Sequence, residues 1–507
     1  CIAEQSDLKL IPDIHPRSDE LSCNVPDSSE PQANFLVSKD GKTRKKIPPY
    51  HNPVYPANQE WYLGLIDELV ERYKDSPALL GVSLRVMQWQ NPTLNNFHSL
   101  DWGYGDYTTS LFQNETGIKI VDGENDTGRF RRRYDWLMTN AKEQWIEWRS
   151  DKISEFYKKI ADRVRSIRPD LKLYSLVFDG YPSKYGADWL KGAGLEIEKL
   201  SKIEGLVLIN ALHAYGRLYD DRTSQGTRDN LIDPDVIGAM VVPGQNGNVL
   251  PYTRYFEARQ DILTPDMLGF NASTNKTWTT AVVTPAGRHY LERYAIAIAE
   301  TDAALLGDGG NNFTIGQPLL QEFIREYRSI PNKPFSARND ARDPVAVWEL
   351  EDDKDYYFYV VNRERYPVEL VLETVGKGDF KHISTGTLLE SSENRISIRL
   401  KPYQLMSFKG AGSKRIEKTA IHVPDKEQQR VTQQVEWLET FGKKMSKKLS
   451  NRQRKMMQQL TDASRLALDN GNLWRARTLI ENHELLKIYM SADSFPPEFR
   501  DAFVSDN

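Results

Sequence analysis

Two clusters of side chains have the types needed to act on a polyhydroxylated substrate. The first is YTRYFEAR, where Glu257 stands among Tyr252, Arg254, Tyr255, Phe256 and Arg259. A carboxylate set between aromatic rings and guanidinium groups can be kept ionised, oriented and shielded enough to act at an anomeric carbon. A surface Glu paired with Arg254 or Arg259 would give the same pattern. The second cluster, QWQNPTLNNFHSLDWGYGDYTTSLF, carries Trp89, Asn95, Asn96, His98, Asp101, Trp102, Tyr104 and Asp106. Amides and acids can bond sugar hydroxyls, while Trp and Tyr stack on apolar C–H faces. Asp and Asn also cap turns in ordered loops, and the two roles do not exclude one another.

Other candidates stand where apolar runs end: Asp179 in VFDGYP, His213 and Tyr215 in ALHAYGR, and Asp308 with Asn311 in GDGGNN. A lone His213 also reads as a structural histidine, and Asp308-Gly309-Gly310 as a turn. Competing chemistries find less support. There is no HExxH pair for zinc and no GxSxG elbow for a serine nucleophile. The two cysteines, Cys1 and Cys23, exclude a disulfide framework or a thiolate-rich metal site. The expected reaction needs no metal or organic cofactor.

The 507 residues allow two to four domains. With 67 Lys+Arg against 71 Asp+Glu, the net charge of −4 argues against a nucleic-acid binder relying on a basic surface. No apolar run approaches the ~18 residues needed to span a bilayer. Short apolar runs at 8–14, 78–89, 171–178, 205–212, around 251–259 and at 303–308 read as strands buried on both faces. Helical patterns separate them. In NQEWYLGLIDELVERYKDS, Trp61, Leu65, Leu69 and Tyr73 fall on one helical face. A second helix is expected over 140–167, stopped by Pro169, and a third over 284–300. The α/β reading is a (β/α)₈ barrel over residues 1–335, entered at its third strand, with a doubly wound sheet as the competing architecture. Without a Gly-rich phosphate loop, a nucleotide-binding version is disfavoured. Residues 336–412 alternate apolar and polar side chains as a small antiparallel β-sandwich. Residues 413–507 read as a linker, through 424, and a helical region. That region has seven Lys/Arg between Lys443 and Lys455, which would suit an anionic partner but reads first as a solvated helix face. The start at Cys1 fits a chain entered inside a domain, or a lipoprotein with Cys1 as its mature N-terminus.

This layout resembles a glycoside hydrolase of the barrel superfamily, most nearly the family 42 beta-galactosidase-like and family 10-like bacterial glycosyl hydrolases. The resemblance is carried by DELVERYKDSPALLGVSLRV, SLDWGYGDYTTSLFQNETGI, EWRSDKISEFYKKIADRVRSIRPDLKLY, RYFEAR, and YAIAIAETDAALLGDGG followed by a β domain ending in LKPYQLMSF. It spans residues 8–410. In that superfamily a Glu after the fourth strand, usually preceded by Asn, is the acid/base, and a Glu ending the seventh is the nucleophile. Glu257 matches the nucleophile position. The Asn-Glu pair is absent, because the fourth strand exits as Met87-Gln88-Trp89-Gln90-Asn91. The proton donor therefore falls to Asp106 or Asp101, with Asp179 as a third choice. A donor needs a raised pKa, which Trp102 and Tyr104 would supply by desolvation. Trp89, Asn96, His98, Trp102, Tyr104, Asp179, His213, Tyr215, Tyr252, Arg254, Asp308 and Asn311 are the expected substrate contacts. The resemblance implies retention of configuration, a carbohydrate substrate and a periplasmic or secreted location, and leaves a homo-oligomer open. A non-catalytic glycan binder on a degenerate barrel, and a scaffold assembled through its β and helical domains, are the alternatives.

Overall fold

A computed structural model of the chain describes residues 4, 9–14, 33–44, 49–86, 95–123, 126–177, 190–212, 249–251, 256–257, 281–282, 288, 291–306, 317–353, 355–392, 394–481, 485, 488–489 and 491–498. The chain divides into two compact units, Cys1–Ala211 with Met240–Asn248, and Leu212–Ala239 with Val249–Asn507. Among the described residues no helix is long and apolar enough to cross a membrane.

The first unit is mixed α/β. Strands β1 (Asp13–Ile14), β2 (Gly81–Val86), β3 (Lys172–Val177) and β4 (Leu206–Leu212) lie side by side in that order. Each pairs in parallel with the next: Asp13 opposite Ser83, Val82 opposite Leu173, and Leu173 opposite Leu206. Val82, Leu84, Leu173, Leu206 and Leu208 are buried, and so are Ser83 and Ser175 between them. Both sheet faces are thus covered, as parallel strands require. Helix α1 (Pro56–Tyr73) connects the first two strands. Its expected apolar face is displaced by about a residue. Tyr62, Leu63, Ile66 and Val70 are the buried set, Trp61, Leu65 and Leu69 pack at its margin, and Tyr73 is exposed. The apolar stripe is broad, so spacing alone leaves its centre open. Between β2 and β3 come α2 (Asp106–Thr116), α3 (Arg129–Asn140) and α4 (Lys142–Ile167). The short α5 (Ile197–Leu200) precedes β4. Helix α4 buries Trp145, Trp148, Ile153, Phe156, Tyr157, Ile160 and Val164, and it stops before Pro169 as expected.

The second unit begins with short pieces: β5 (Val249–Pro251), β6 (Phe256–Glu257) and β7 (Ala281–Val282). Helices α6 (Glu292–Thr301) and α7 (Gln317–Ser329) follow. Then come β8 (Ser336–Ala337), β9 (Val345–Asp352), β10 (Asp355–Asn362), β11 (Val368–Val375), β12 (Phe380–His382), β13 (Arg395–Leu400), β14 (Leu405–Gly410) and β15 (Arg415–His422). They form two sheets of antiparallel neighbours, ordered β12-β14-β10-β9-β8 and β13-β11-β15. One core of Val345, Val347, Phe358, Val360, Leu370, Leu372, Ile396, Ile398 and Phe408 is shared by strands of both. The other face of β10 meets α6, where the Trp348 indole donates to the Ala299 carbonyl at 3.1 Å and the Tyr359 hydroxyl to Asp302 at 2.8 Å.

The stretch 411–424, expected to be a linker, instead contains β15. It is an edge strand in which only Ile416 is fully buried, so its hydrophilic sequence hides its pairing with β11. Helices α8 (Asp425–Met445), α9 (Asn451–Asp469) and α10 (Leu473–Ile480) close the chain around Val431, Val435, Leu438, Met457, Leu473, Leu479 and Ile480. A buried ionic network joins them to the β-strands. Arg477 reaches Glu364 at 3.1 Å and Glu481 at 2.8 Å, and Arg363 pairs with Glu300. Asp343 accepts the backbone N–H groups of Trp474 and Arg475 at 2.9 and 3.0 Å, capping α10.

Candidate functional site

The aromatic and polar loop before α2 is built inward from its backbone. Gly103 and Tyr104 both donate their N–H to the Val37 carbonyl at 2.9 Å, and Phe97 donates to Ala193 at 2.8 Å. Gly103 has φ +107, a conformation that a side chain would strain. The buried Asn96 accepts the His98 N–H at 2.7 Å, closing a local turn around His98, whose φ is +65. Arg149 of α4 lies beneath the loop, fully buried. It donates to the carbonyls of Trp102 at 2.9 Å, Ser99 at 2.8 Å and Phe97 at 3.5 Å. Its guanidinium also lies 4.3 Å from the Phe97 ring centroid. Burial pulls its pKa down to about 10.

Above this scaffold lies a compact aromatic group, with Tyr50 buried and His98 and Trp102 partly exposed. Tyr50 and Trp102 meet edge to face at 4.8 Å, Tyr50 and His98 lie 4.1 Å apart, and the Tyr50 hydroxyl sits 2.6 Å from His98 Nε2. Arg44 donates to the same hydroxyl at 2.9 Å. His98 and Trp102 keep partial exposure, so a sugar face can stack there. The segment bearing Tyr50 is held by amides. Asn52 donates to Ala33 and to Thr108 at 3.0 Å, and Asn58 donates to Asn34 at 2.8 Å and to Asn52 at 2.9 Å.

The expected residues divide accordingly. His98 and Trp102 come together at the surface, and Asn96 serves the loop's own turn. Tyr104 is wholly buried, edge to face with Tyr134 at 5.4 Å, and its hydroxyl bonds the Leu100 carbonyl. Burial raises this phenol's pKa, and Tyr104 is a core residue rather than a contact for substrate. Asp106, at the first turn of α2, is clamped by Arg129 (3.0 and 2.9 Å) and Arg133 (2.7 Å). These arginines hold its carboxyl down to about 2. That is the reverse of the upward shift expected of a proton donor, because two guanidinium groups outweigh desolvation by the neighbouring rings. Arg133 extends the cluster to Asp122 at 2.6 Å and to the Tyr104 carbonyl at 3.1 Å. Asp101 is exposed and pairs with Lys39 at 2.7 Å.

Glu257 lies in β6, whose two residues pair antiparallel with Ala281–Val282, where the barrel reading expected a parallel neighbour. Trp89, Asp179, His213, Tyr215, Tyr252, Arg254, Asp308 and Asn311 lie outside the described residues. The sequence reading missed Tyr50, Arg44, Arg129, Arg133 and Arg149. For Arg129, Arg133 and Arg149 the one available signal was the heavy use of Arg and aromatics in the helices after the loop; Arg44 and Tyr50 lie outside any helix and carried none. Among the described residues no three His, Cys, Asp or Glu side chains converge as metal ligands.

Comparison with known proteins bears on the first unit. Residues 28–177 match the family described as glycosyl hydrolase-like 10, so the resemblance to glycosyl hydrolases stands on the segment that holds β2, the aromatic loop and β3. No curated protein matches the chain. Solved structures similar to it include alpha-galactosidase I from Mortierella vinacea, at 10% identity over 69% of this chain and 80% of that one, TM-score 0.33. The beta-galactosidase from Bacillus circulans sp. alkalophilus has 10% identity over 78% and 87%, TM-score 0.33. The pullulanase from Bacillus acidopullulyticus has 10% identity over 80% and 47%, TM-score 0.39. Scores this low transfer no residue or activity to this chain.

Proposed function

We propose that the protein is a glycoside hydrolase cleaving O-glycosidic bonds with two carboxylates, Glu257 acting as nucleophile. The observation that carries the reading is the glycosyl hydrolase-like match over residues 28–177, on the segment that holds the partly exposed His98 and Trp102 against the buried Tyr50. The His98 and Trp102 rings offer stacking surface, with Arg44 beside them to bond sugar hydroxyls. Glu257 takes its role from its position in RYFEAR and from strand order, as the residue that attacks the anomeric carbon. The donor must protonate the leaving oxygen, so it must carry a proton at working pH. With Asp106 tied to two arginines and Asp101 exposed and paired with Lys39, that role passes to Asp179.

The clamped Asp106 and the missing Asn-Glu pair together favour one second reading, a glycan-binding protein without turnover. Both are tested by assaying release from galactose-, glucose-, fucose- and uronate-containing polymers, with Glu257→Gln alongside. Release by the parent and at least a hundredfold less by the variant is expected, since an essential carboxylate supplies on the order of that factor or more. Release unchanged by the variant removes Glu257 from the mechanism. Binding without release, with affinity lowered by Trp102→Ala, establishes the binder.

A further inference from the structure

The C-terminal helices hold a concentration of charge that neither the fold nor the proposed reaction uses. Between Thr440 and Thr461 there is no Asp or Glu, while Lys443, Lys444, Lys447, Lys448, Arg452, Arg454 and Lys455 all fall there. All seven are exposed, and among the described residues none makes an ion pair. Glu439, the acid one turn before Lys443, is bound to Arg465 at 2.7 Å. Elsewhere the helices offset their cations locally, as in Arg72–Glu68, Arg131–Asp135 and Lys158–Asp162.

The placement also works against stability. Lys443 and Lys444 sit in the last turn of α8, where the helix dipole favours cations. Arg452, Arg454 and Lys455 sit in the opening residues of α9, where it disfavours them, and no acid stands in that first turn. Lys443/Lys447 and Lys444/Lys448 bring like charges four residues apart. The cap of α9 is a Ser450–Gln453 box, with the neutral amide where a glutamate would bring charge compensation. A solvated face held only for solubility has no need to omit every acid over this stretch.

We propose that this tip, where α8 turns into α9, is a docking surface for an anionic lipid bilayer. The seven cations cluster within the last turn of one helix, the turn, and the first turn and a half of the next. A bilayer presents anionic headgroups in two dimensions beneath such a patch, whereas a linear polyanion crosses it in one. Five of the seven are lysines, compact charges suited to a diffuse anionic surface rather than to bidentate recognition. The single aromatic in the stretch, Phe441, is buried, so it offers no stacking platform for bases. Leu449 and Met456 pack against the helical core, so contact is by charge without insertion.

The test is co-sedimentation of the full chain with vesicles of phosphatidylcholine, and of phosphatidylcholine mixed with phosphatidylglycerol, at low and high salt. Heparin and duplex DNA serve as linear competitors. The parent is expected to bind only the mixed vesicles and to be released by salt. Combined Lys443→Gln, Lys444→Gln, Lys447→Gln and Lys448→Gln should weaken that partitioning by about a thousandfold. Lys158→Gln with Lys159→Gln, on an exposed face elsewhere, should leave it within about twofold. Circular dichroism checks the fold. If the lysine variant is unfolded, Arg452→Gln with Arg454→Gln and Lys455→Gln replaces it. No binding of the parent to anionic vesicles, or binding that survives neutralisation, overturns the proposal. Tighter capture by heparin or DNA than by vesicles also overturns it, and reassigns the surface to a linear polyanion.

Discussion

Arg149→Met tests whether the loop carrying the partly exposed His98 and Trp102 is held from below. Arg149 has no exposed surface, and its two shorter bonds, to Trp102 and Ser99, satisfy carbonyls of the loop that carries His98 and Trp102. Methionine fills much of the space but donates nothing. Two carbonyls then lose their donor at about 1–3 kcal/mol each. The contact with the Phe97 ring contributes about 1 kcal/mol more. Against this, the variant no longer buries a guanidinium without a carboxylate partner, a relief of a few kcal/mol. The net expectation is a loss of about 2–4 kcal/mol from the unit that contains α4. Urea unfolding followed by tryptophan fluorescence reads this unit through Trp145 and Trp148, both buried in α4. Hydrogen exchange at the amides of residues 97–104 localises the effect. Faster exchange there, with the β-strands of the second unit unchanged, is the expected pattern. A loss below about 1 kcal/mol with protection intact would refute the idea that Arg149 positions the loop.

Asp106→Asn should cost only about 1 kcal/mol at neutral pH, since the carboxylate is half-exposed and its pairs are screened. Its pKa is depressed in the fold, so this contribution is present above about pH 4 and lost as pH falls through about 2. Glycan turnover should persist within about threefold, and its abolition in a folded variant would return Asp106 to the donor role. Asp343 is the opposite case. Burial holds its carboxyl up to about 7, so the folded state keeps a proton that the unfolded chain releases near 4. Stability from this group is full below about pH 4, falls toward pH 7 and is level above it, by up to about 1.4 kcal/mol per pH unit. Asp343→Asn should flatten that fall. Parallel urea midpoints for parent and variant at both ends of the window would show that Asp343 does not set the slope.

The elements of the chain were legible where one physical signal dominated. Long amphipathic runs gave α1 and α4. Short, mainly apolar runs gave β2, β3 and β4, in which even Ser83 and Ser175 are buried because both faces of the sheet are covered. Strict alternation marked β13, and a pattern broken only by the Leu370-Val371-Leu372 run marked β11; their inward faces meet one core. The signal failed where burial is slight: β15 pairs by its backbone, and its exposed Lys and Arg side chains read as a linker.

At the site, the types of residue in the loop before α2 were enough to suggest contact with a polyhydroxylated ligand. They were not enough to say which side chains face out. Tyr104 and Trp102 stand two positions apart with the same apparent chemistry, yet one is core and the other reaches the surface. Asp106 shows the limit most plainly. Its neighbours in sequence are aromatic and suggest a raised pKa, but the groups that set its charge are Arg129 and Arg133 on another helix. Sequence determined the elements and the kinds of chemistry, because propensity and periodicity act along the chain. Tertiary structure decided burial, partners and protonation, because desolvation and Coulomb interactions depend on distance through space.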